Sequence, residues 1–280
     1  MLTERDGPLK ALLDLSQGAR RGQGRVVLLG GEAGIGKTSL LEEFADRLGA
    51  EFRVLRGGCE ALFTPRPLGP VQDMSQALDP HIVELLARTA APAQMFPALL
   101  KALGDARGAQ ILIFEDVHWA DHSTLDFLKY LGRRIGVMSA LVVLSFRSDE
   151  VGERHPLTQV LGDLPASVVA RVALEPLSAE AVAGLARAAG RPSENLHRIT
   201  GGNPFFVTEL LAGAVAGVKG DLPASIKDAV WARMARLAPR ECELLETISV
   251  VPVRSSARCC NPCSGPTAKR WRMLACAKVS

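Results

Sequence analysis

The sequence contains no apolar run near the ~18–20 residues that a membrane-spanning helix needs. Residues 1–20 also lack the apolar stretch of a signal peptide. Only two of the six cysteines, Cys59 and Cys242, lie within residues 1–253. Two scattered cysteines exclude a disulfide framework there and are typical of a reducing compartment. We therefore expect a cytoplasmic protein.

Acidic residues are absent from residues 254–280, which carry six lysines and arginines and the other four cysteines. Because the whole chain has a formal charge of +3, residues 1–253 have a net charge of −3. The basic charge therefore belongs to this tail alone. Nothing in residues 1–253 indicates a nucleic-acid-binding surface.

Three interpretations of the tail, residues 254–280, remain open. Cys260-x-x-Cys263 has the spacing of two zinc ligands, but a complete site needs four and the tail has no histidine. A shift of reading frame near residue 253 would also give this composition, and another downstream frame would then continue the domain. The third interpretation is a disordered basic tail.

The strongest motif is the glycine loop, Gly31–Thr38, which reads GEAGIGKT and matches the phosphate-binding pattern G-x-x-x-x-G-K-[ST]. Apolar residues 26–29 precede it as a strand, and apolar residues at helical spacing follow it. Glycines let backbone N–H groups approach phosphate oxygens, and a helix opening near Gly36 adds its positive dipole end. We expect Lys37 to bind the β- and γ-phosphates and Thr38 to ligate Mg²⁺. The predicted nucleotide-binding residues here are Gly31, Glu32, Ala33, Gly34, Ile35, Gly36, Lys37, Thr38 and Ser39.

A second motif, of the type called Walker B, follows about 80 residues downstream. The apolar residues 111–114 are followed by the paired acids Glu115 and Asp116. One carboxylate is expected to ligate Mg²⁺ and the other to orient the water that attacks the γ-phosphate. Because a magnesium ligand is commonly Asp, we predict Asp116 as the ligand beside Thr38 and Glu115 as the residue that orients water, with the pair assigned jointly.

The residues after these acids allow two interpretations each. His118 and Trp119 follow the strand at its C-terminal end, where ligands bind in open α/β sheets, although such residues usually serve packing. Asp121 is either a residue of this ligand-binding loop or the N-cap of a helix. We favour the cap, because Ser123-Thr124 and a helical pattern from Leu125 to Ile135 come next.

A third apolar strand, residues 141–146, ends at Arg147. An arginine at the end of such a strand can contact the γ-phosphate and report its presence. The alternative is a surface arginine that pairs with Asp149 or Glu150.

The remaining periodicity predicts an α/β fold: a P-loop NTPase with a central parallel sheet flanked by helices, then a small helical lid and the start of a winged helix. We expect residues 2–24 to contain a helix over the edge of the sheet. Residues 3–6 would either be a solvated helix start or lie over the nucleotide base. Further expected elements are strands at 52–55 and 168–174, a loop at 60–75, and helices at 81–90, 96–107, 179–189, 193–199, 204–216 and 224–237. The expected domains are an ATPase core at 1–177, a helical lid at 178–220, a partial winged helix at 221–253 and the tail.

These residues together resemble the STAND class of P-loop ATPases within the AAA-like superfamily. The resemblance is to the N-terminal ATPase domain of large LuxR-type transcriptional regulators and to related Orc-like AAA proteins. It runs from about residue 2 to about residue 253. The segments that carry it are Gly31–Thr38, Phe114–Asp121, Ser145–Glu150, Leu174–Ser178 and Gly202–Pro204.

The resemblance implies ATP binding with slow hydrolysis used as a switch. It also implies Arg147 as the γ-phosphate sensor, Pro204 of the G-x-P motif against the adenine, and a winged helix from near Leu222. The helical repeats and DNA-binding domain of such regulators are not expected in this chain. The expected partners are therefore ATP or ADP, with self-association or effector proteins, and neither DNA nor a membrane. Three alternatives remain: a P-loop kinase or other transferase, a DNA-stimulated initiator ATPase, and a scaffold without hydrolysis.

Overall fold

The computed structural model describes residues 2–106, 108–213, 224–234, 237, 240–242 and 244–245. The chain divides into two compact units between Glu175 and Pro176. About half of the predicted winged-helix segment, residues 221–253, lies outside the described residues, and so does the whole tail.

The first unit is built on a five-stranded sheet in which every neighbouring pair of strands is parallel. The strands are β1 (Arg25–Gly31), β2 (Phe52–Gly58), β3 (Ala109–Glu115), β4 (Ala140–Arg147) and β5 (Val169–Ala173). Their spatial order is β2-β3-β4-β1-β5. The predicted α/β fold with a parallel sheet is confirmed.

Helices connect the strands of this unit. They are α1 (Asp6–Arg20), α2 (Lys37–Asp46), α3 (Gly69–Asp73), α4 (Pro80–Ala87), α5 (Pro92–Asp105), α6 (His122–Gly132) and α7 (Pro156–Gly162). A 3₁₀ turn, Val117–Trp119, lies between β3 and α6. Four of these helices have Pro at one of their first two positions, where a missing N–H costs no intrahelical hydrogen bond: α3, α4, α5 and α7.

The central strands are apolar on both sides, so the sheet has a hydrophobic layer on each face. Alternate residues of β1 enter different layers: Val26 and Leu28 join one, and Val27 and Leu29 join the other. The first layer includes side chains of α3 to α7, and the second includes side chains of α1 and α2. Each fully buried Leu or Phe contributes about 1.5–3 kcal/mol.

The prediction that the first helix covers an edge of the sheet was wrong. Leu9 and Leu12 of α1 are buried in one cluster with Ile111 of β3 and Val143 of β4, which are central strands. α1 therefore packs on a face. The physical reason is that a parallel sheet with apolar residues on both sides needs helices over both faces.

The predicted loop at residues 60–75 is also corrected, because α3 occupies Gly69–Asp73 within it. Pro70 lies in the first turn of this helix. β2 likewise extends through Gly58, beyond the predicted end at residue 55.

The second unit is helical in the part that the structure describes. Its helices are α8 (Ala179–Ala188), α9 (Leu196–Thr200), α10 (Pro204–Gly213) and α11 (Ala224–Met234). A small apolar cluster holds its first three helices together: Leu177, Val182, Ala186, Leu196 and Val207. Among the described residues of both units, no helix combines the length and the apolar character that crossing a membrane requires.

Gly57 provides a test of the packing at the end of β2. A Cβ at this residue would lie 2.1 Å from the carbonyl oxygen of Pro70 in α3, whereas a Cβ at the neighbouring Gly58 would meet no atom within 4 Å. We expect Gly57→Ala to lower the free energy of unfolding by about 1–3 kcal/mol, because strand and helix must separate. Urea denaturation measures the effect, with Gly58→Ala as the matched control. Equal stability of the two variants would contradict this packing.

Candidate functional site

Three adjacent strands bring the predicted site residues to one edge of the sheet. Gly31, at the end of β1, pairs with Arg147 at the end of β4. β3 is the other neighbour of β4 and ends in Glu115. Because parallel strands end at the same edge, the glycine loop, the paired acids and the arginine lie side by side.

The glycine loop turns from β1 into α2 with backbone angles that favour glycine. Gly34 has φ 77° and Gly36 has φ 96°, both in the left-handed region. A Cβ at Gly31 would lie 2.8 Å from the Ile35 side chain. α2 begins at Lys37, immediately after Gly36, so the positive end of its dipole faces the loop. This arrangement suits an anion.

The side chain of Lys37 lies along the inside of this loop. It is only 7% exposed, and its Nζ donates hydrogen bonds to the carbonyl oxygens of Gly31 and Glu32, each at 2.9 Å. Burial lowers the pKa of the Lys37 ammonium, and the nearby Asp116 carboxylate opposes that shift. The lysine is therefore placed within the loop rather than on the surface.

Glu115 contacts the glycine loop directly. The Thr38 hydroxyl donates a hydrogen bond to Glu115 Oε2 at 3.0 Å. On its other side, Glu115 Oε1 accepts a short, charge-assisted hydrogen bond from Nε of Arg56. This bond, ahead of the opposing effect of burial, raises the pKa of the Arg56 guanidinium.

Arg56 is a site residue that the sequence analysis missed. It lies two positions before the end of β2, the strand that pairs with β3, and Gly58 of β2 is opposite Glu115. The available signal was an arginine near the C-terminal end of a strand that neighbours the acid-bearing strand. The short predicted strand at 52–55 ended before this residue.

Asp116 has an unusual backbone conformation, with φ 51° and ψ 43°. For a residue other than glycine, this left-handed conformation costs ~1 kcal/mol and is common at functional sites. Its backbone N–H donates to Ser145 Oγ of β4 at 3.1 Å. Burial raises the pKa of the Asp116 carboxyl, and Arg147 and then Lys37 oppose that effect.

His118 is fully buried behind these acids. Its side chain is 0% exposed, and neither ring nitrogen makes a hydrogen bond within the described part of the chain. Nδ1 lies 3.9 Å from Asp116 Oδ1, and Nε2 lies 3.7 Å from Glu150 Oε2. Burial lowers the pKa of the His118 imidazole to about 4, so the ring is neutral near pH 7. Its ring centroid is 4.5 Å from that of Trp119.

Arg147 lies beside the same histidine and tryptophan. Its Nη1 donates to Glu150 Oε1 at 2.7 Å, and its guanidinium carbon is 4.6 Å from the centroid of the Trp119 ring. The predicted alternative, a pair with Glu150, is thus present. The contact of Arg147 with a γ-phosphate stays a prediction.

Asp121 caps α6, as predicted. Its Oδ1 accepts hydrogen bonds from the backbone N–H groups of Ser123 and Thr124, at 2.9 and 3.1 Å. The same oxygen accepts from the N–H of Leu68 at 3.3 Å, so the cap also anchors the segment before α3. Asp121 therefore has a structural role.

Arg5 is a second residue that the sequence analysis missed. It is 5% exposed, so the expected solvated helix start is wrong at this position. Its Nη2 donates to the carbonyl oxygen of Ile35 in the glycine loop at 3.1 Å. Burial lowers the pKa of the Arg5 guanidinium, and Glu4 and Glu175 partly offset this. The helix α1 is thereby tied to the loop.

Pro204 lies in the second unit, where it is the first residue of α10. The preceding Asn203 accepts a hydrogen bond on its side-chain oxygen from the Phe205 N–H at 3.1 Å, as an N-cap does. The contact of Pro204 with adenine stays a prediction. Within the described residues, no group of three or more His, Cys, Asp or Glu side chains could hold a metal ion.

The AAA ATPase domain family matches residues 1–145 of this chain. An uncharacterised protein of Rhizobium meliloti (strain 1021) is 28% identical over 273 aligned residues. The alignment covers 79% of this chain and 26% of that protein, so the chain spans about a quarter of its length.

Several solved structures share the fold. The Walker-type ATPase of Pyrococcus abyssi has a TM-score of 0.58 and 16% identity, over 89% of this chain and 80% of that one. The Aeropyrum pernix ORC2 protein, in ADPNP–ADP complexes, has a TM-score of 0.58 and 17% identity, over 89% and 74% of the two chains. The Aeropyrum pernix ORC1 protein, in complex with DNA, has a TM-score of 0.52 and 17% identity, over 90% and 70%. At such identities, the likeness shows the fold alone.

The buried His118 predicts a dependence of stability on pH. Its pKa is about 4 in the folded protein, below the unfolded value near 6.5. The unfolded chain therefore binds more protons between these values, so stability falls as the pH drops from 6.5 to 4. This histidine should contribute a loss of about 3 kcal/mol over that window. Urea denaturation at pH 7 and pH 4.5 should show a smaller loss in His118→Gln than in the wild-type protein. Identical pH dependence of the two would contradict the prediction.

Proposed function

The chain belongs to the AAA ATPase domain family, and we propose that it binds ATP with Mg²⁺ at the glycine loop and hydrolyses it slowly as a nucleotide switch. One observation carries the proposal. The loop, the paired acids and Arg147 meet at the ends of β1, β3 and β4, with Lys37 inside the loop. Backbone N–H groups and the ammonium of Lys37 would bind the phosphates.

The oxygen ligands near Thr38 fit Mg²⁺, which prefers carboxylate, hydroxyl and phosphate oxygens. When bound, the ion would neutralise charge that develops on the phosphate oxygens. The hydrogen bond from Thr38 to Glu115 favours roles for Glu115 and Asp116 that are the reverse of those predicted from the sequence. We assign Glu115, together with Thr38, as a magnesium ligand.

Asp116 is then the residue that orients the attacking water. It lies near Lys37 and Arg147, whose positive charges counteract the effect of burial on its carboxyl pKa. A partly desolvated carboxylate held next to two cations suits a general base or a water-positioning group. Arg147 is assigned to the γ-phosphate, for which it would exchange its bond to Glu150.

In its wider role, we propose that this domain is the switch module of a large LuxR-type transcriptional regulator. The support is the resemblance of its motifs to the ATPase domains of such regulators, together with a relative of which the chain covers 26%. The G-x-P residue Pro204 would contact the adenine. One alternative function is an ATPase stimulated by DNA. It is suggested by the nucleotide complexes of the ORC2 protein and the DNA complex of the ORC1 protein.

Calorimetric titration with Mg·ATP and Mg·ADP tests the nucleotide site. We expect Lys37→Ala to weaken ATP binding at least about 100-fold, because the buried ammonium is the main charged ligand of the phosphates. The exposed Lys101→Ala on α5 is the control and should bind ATP as the wild type does. Retained affinity in Lys37→Ala would contradict the site. Hydrolysis measured with and without DNA, and with added small-molecule acceptors, separates the switch from the initiator and transferase alternatives.

A second pair of variants tests the roles of the two acids. Glu115→Gln should raise the Mg²⁺ concentration needed for half-maximal ATP binding by about 10-fold, because a magnesium ligand loses its charge. Asp116→Asn should keep ATP affinity and lower kcat about 100-fold, because the group that orients water is lost. Asp126→Asn, on the exposed side of α6, is the control. The reverse pattern would favour Asp116 as the magnesium ligand.

A further inference from the structure

The position of His118 calls for a physical reason. A buried polar atom without a hydrogen bond is costly, and both ring nitrogens of His118 lack one within the described residues. Each nitrogen nevertheless faces a carboxylate oxygen just beyond hydrogen-bond range: Asp116 Oδ1 at 3.9 Å and Glu150 Oε2 at 3.7 Å. A small movement of either carboxylate would complete a hydrogen bond to the ring.

Glu150 links this histidine to Arg147. Its Oε1 accepts from Arg147 Nη1 at 2.7 Å, and its Oε2 is the atom that faces His118. The four side chains therefore form one row, Arg147–Glu150–His118–Asp116. Trp119 packs against the His118 ring, and the Arg147 guanidinium lies over the Trp119 ring. The row joins the proposed phosphate sensor to the residue proposed to orient water.

A neutral imidazole carries one N–H group, so His118 can donate to Asp116 or to Glu150 but not to both. While Arg147 is bound to Glu150, that carboxylate already has a cationic donor. Asp116 is then the better acceptor for the ring proton. If Arg147 turns away, Glu150 loses this cationic donor and gains more than before from a donated N–H, because hydrogen bonds to a charged acceptor are the stronger kind.

We propose that His118 is a positioning residue whose single ring proton lies on Nδ1, toward Asp116, while Arg147 holds Glu150, and on Nε2, toward Glu150, once Arg147 binds the terminal phosphate. The exchange leaves the charge unchanged: Nδ1 gives a proton to water, and Nε2 receives one from water. Asp116 is thereby released to orient water only when the phosphate is present. This proposal rests on the proposed function for Arg147 and Asp116.

The first experiment needs no nucleotide. Nitrogen NMR of the full chain labelled at histidine reports which ring nitrogen is protonated, and His118→Gln identifies the His118 signals. Arg147→Met removes the guanidinium that donates to Glu150 while keeping a long side chain. We expect the proton of His118 to move from Nδ1 to Nε2 in this variant. The same nitrogen protonated in both proteins would overturn the proposal.

His155 is an internal control in the same spectrum. Its Nδ1 accepts from the Leu157 N–H at 3.1 Å, so its proton is on Nε2, which donates to the His118 carbonyl oxygen at 3.1 Å. Its signals should not change between the two proteins.

The second experiment compares two amides at residue 118. The amide of His118→Asn can reach only the position of Nδ1, near Asp116, and that of His118→Gln reaches the position of Nε2, near Glu150. We expect Gln to keep the rate of ATP hydrolysis within about threefold and Asn to lower it at least about 10-fold, with ATP affinity unchanged in both. Equal effects would mean a merely structural histidine. A wild-type chain that fails to bind ATP would instead refute the proposed function, whereas the NMR comparison tests the row of side chains by itself.

Discussion

The parallel pairing of β3, β4 and β1 is the constraint on which the site depends. Both faces of these strands are packed, so the register is determined by two apolar layers at once. A slip of one residue would exchange the layers and turn every side chain to the opposite face. It would also move Glu115 away from Thr38. The site is therefore precise because the core behind it allows one alignment of the strands.

The second requirement of the site is that its partly buried charged side chains are stabilised. Oppositely charged neighbours do this in place of water. Burial lowers the pKa of Lys37 and raises that of Asp116, and each of these groups counteracts the shift of the other. Glu115 similarly lies against Arg56, and Glu150 against Arg147. Partly buried charges persist when each has an opposite partner and hydrogen bonds. The edge of the sheet thus holds ionised groups close together at a tolerable cost in stability.

The features that depend on a short stretch of sequence could be predicted from the sequence. The glycine loop, the acid pair, the cap at Asp121 and the strand before Arg147 each follow from a local pattern with a known physical cause. The fold class followed from the alternation of strands and helices. The pairing of Arg56 with Glu115 was not predictable in this way, because it depends on which strands become neighbours. The side chain of Glu150 between Arg147 and His118 likewise follows from the path of the chain after β4.

Arg5 shows the same limit in another form. Its guanidinium binds the carbonyl oxygen of Ile35, 30 residues further along the chain. The eight residues of the phosphate-binding motif therefore do not determine the loop conformation alone, because Arg5, which precedes the first strand, also holds it. Transplanted into a host that lacks α1, the same octapeptide would lose one of its anchors and form a looser cradle. The motif can be moved to another protein as a sequence, but its conformation depends on contacts made by the rest of this domain.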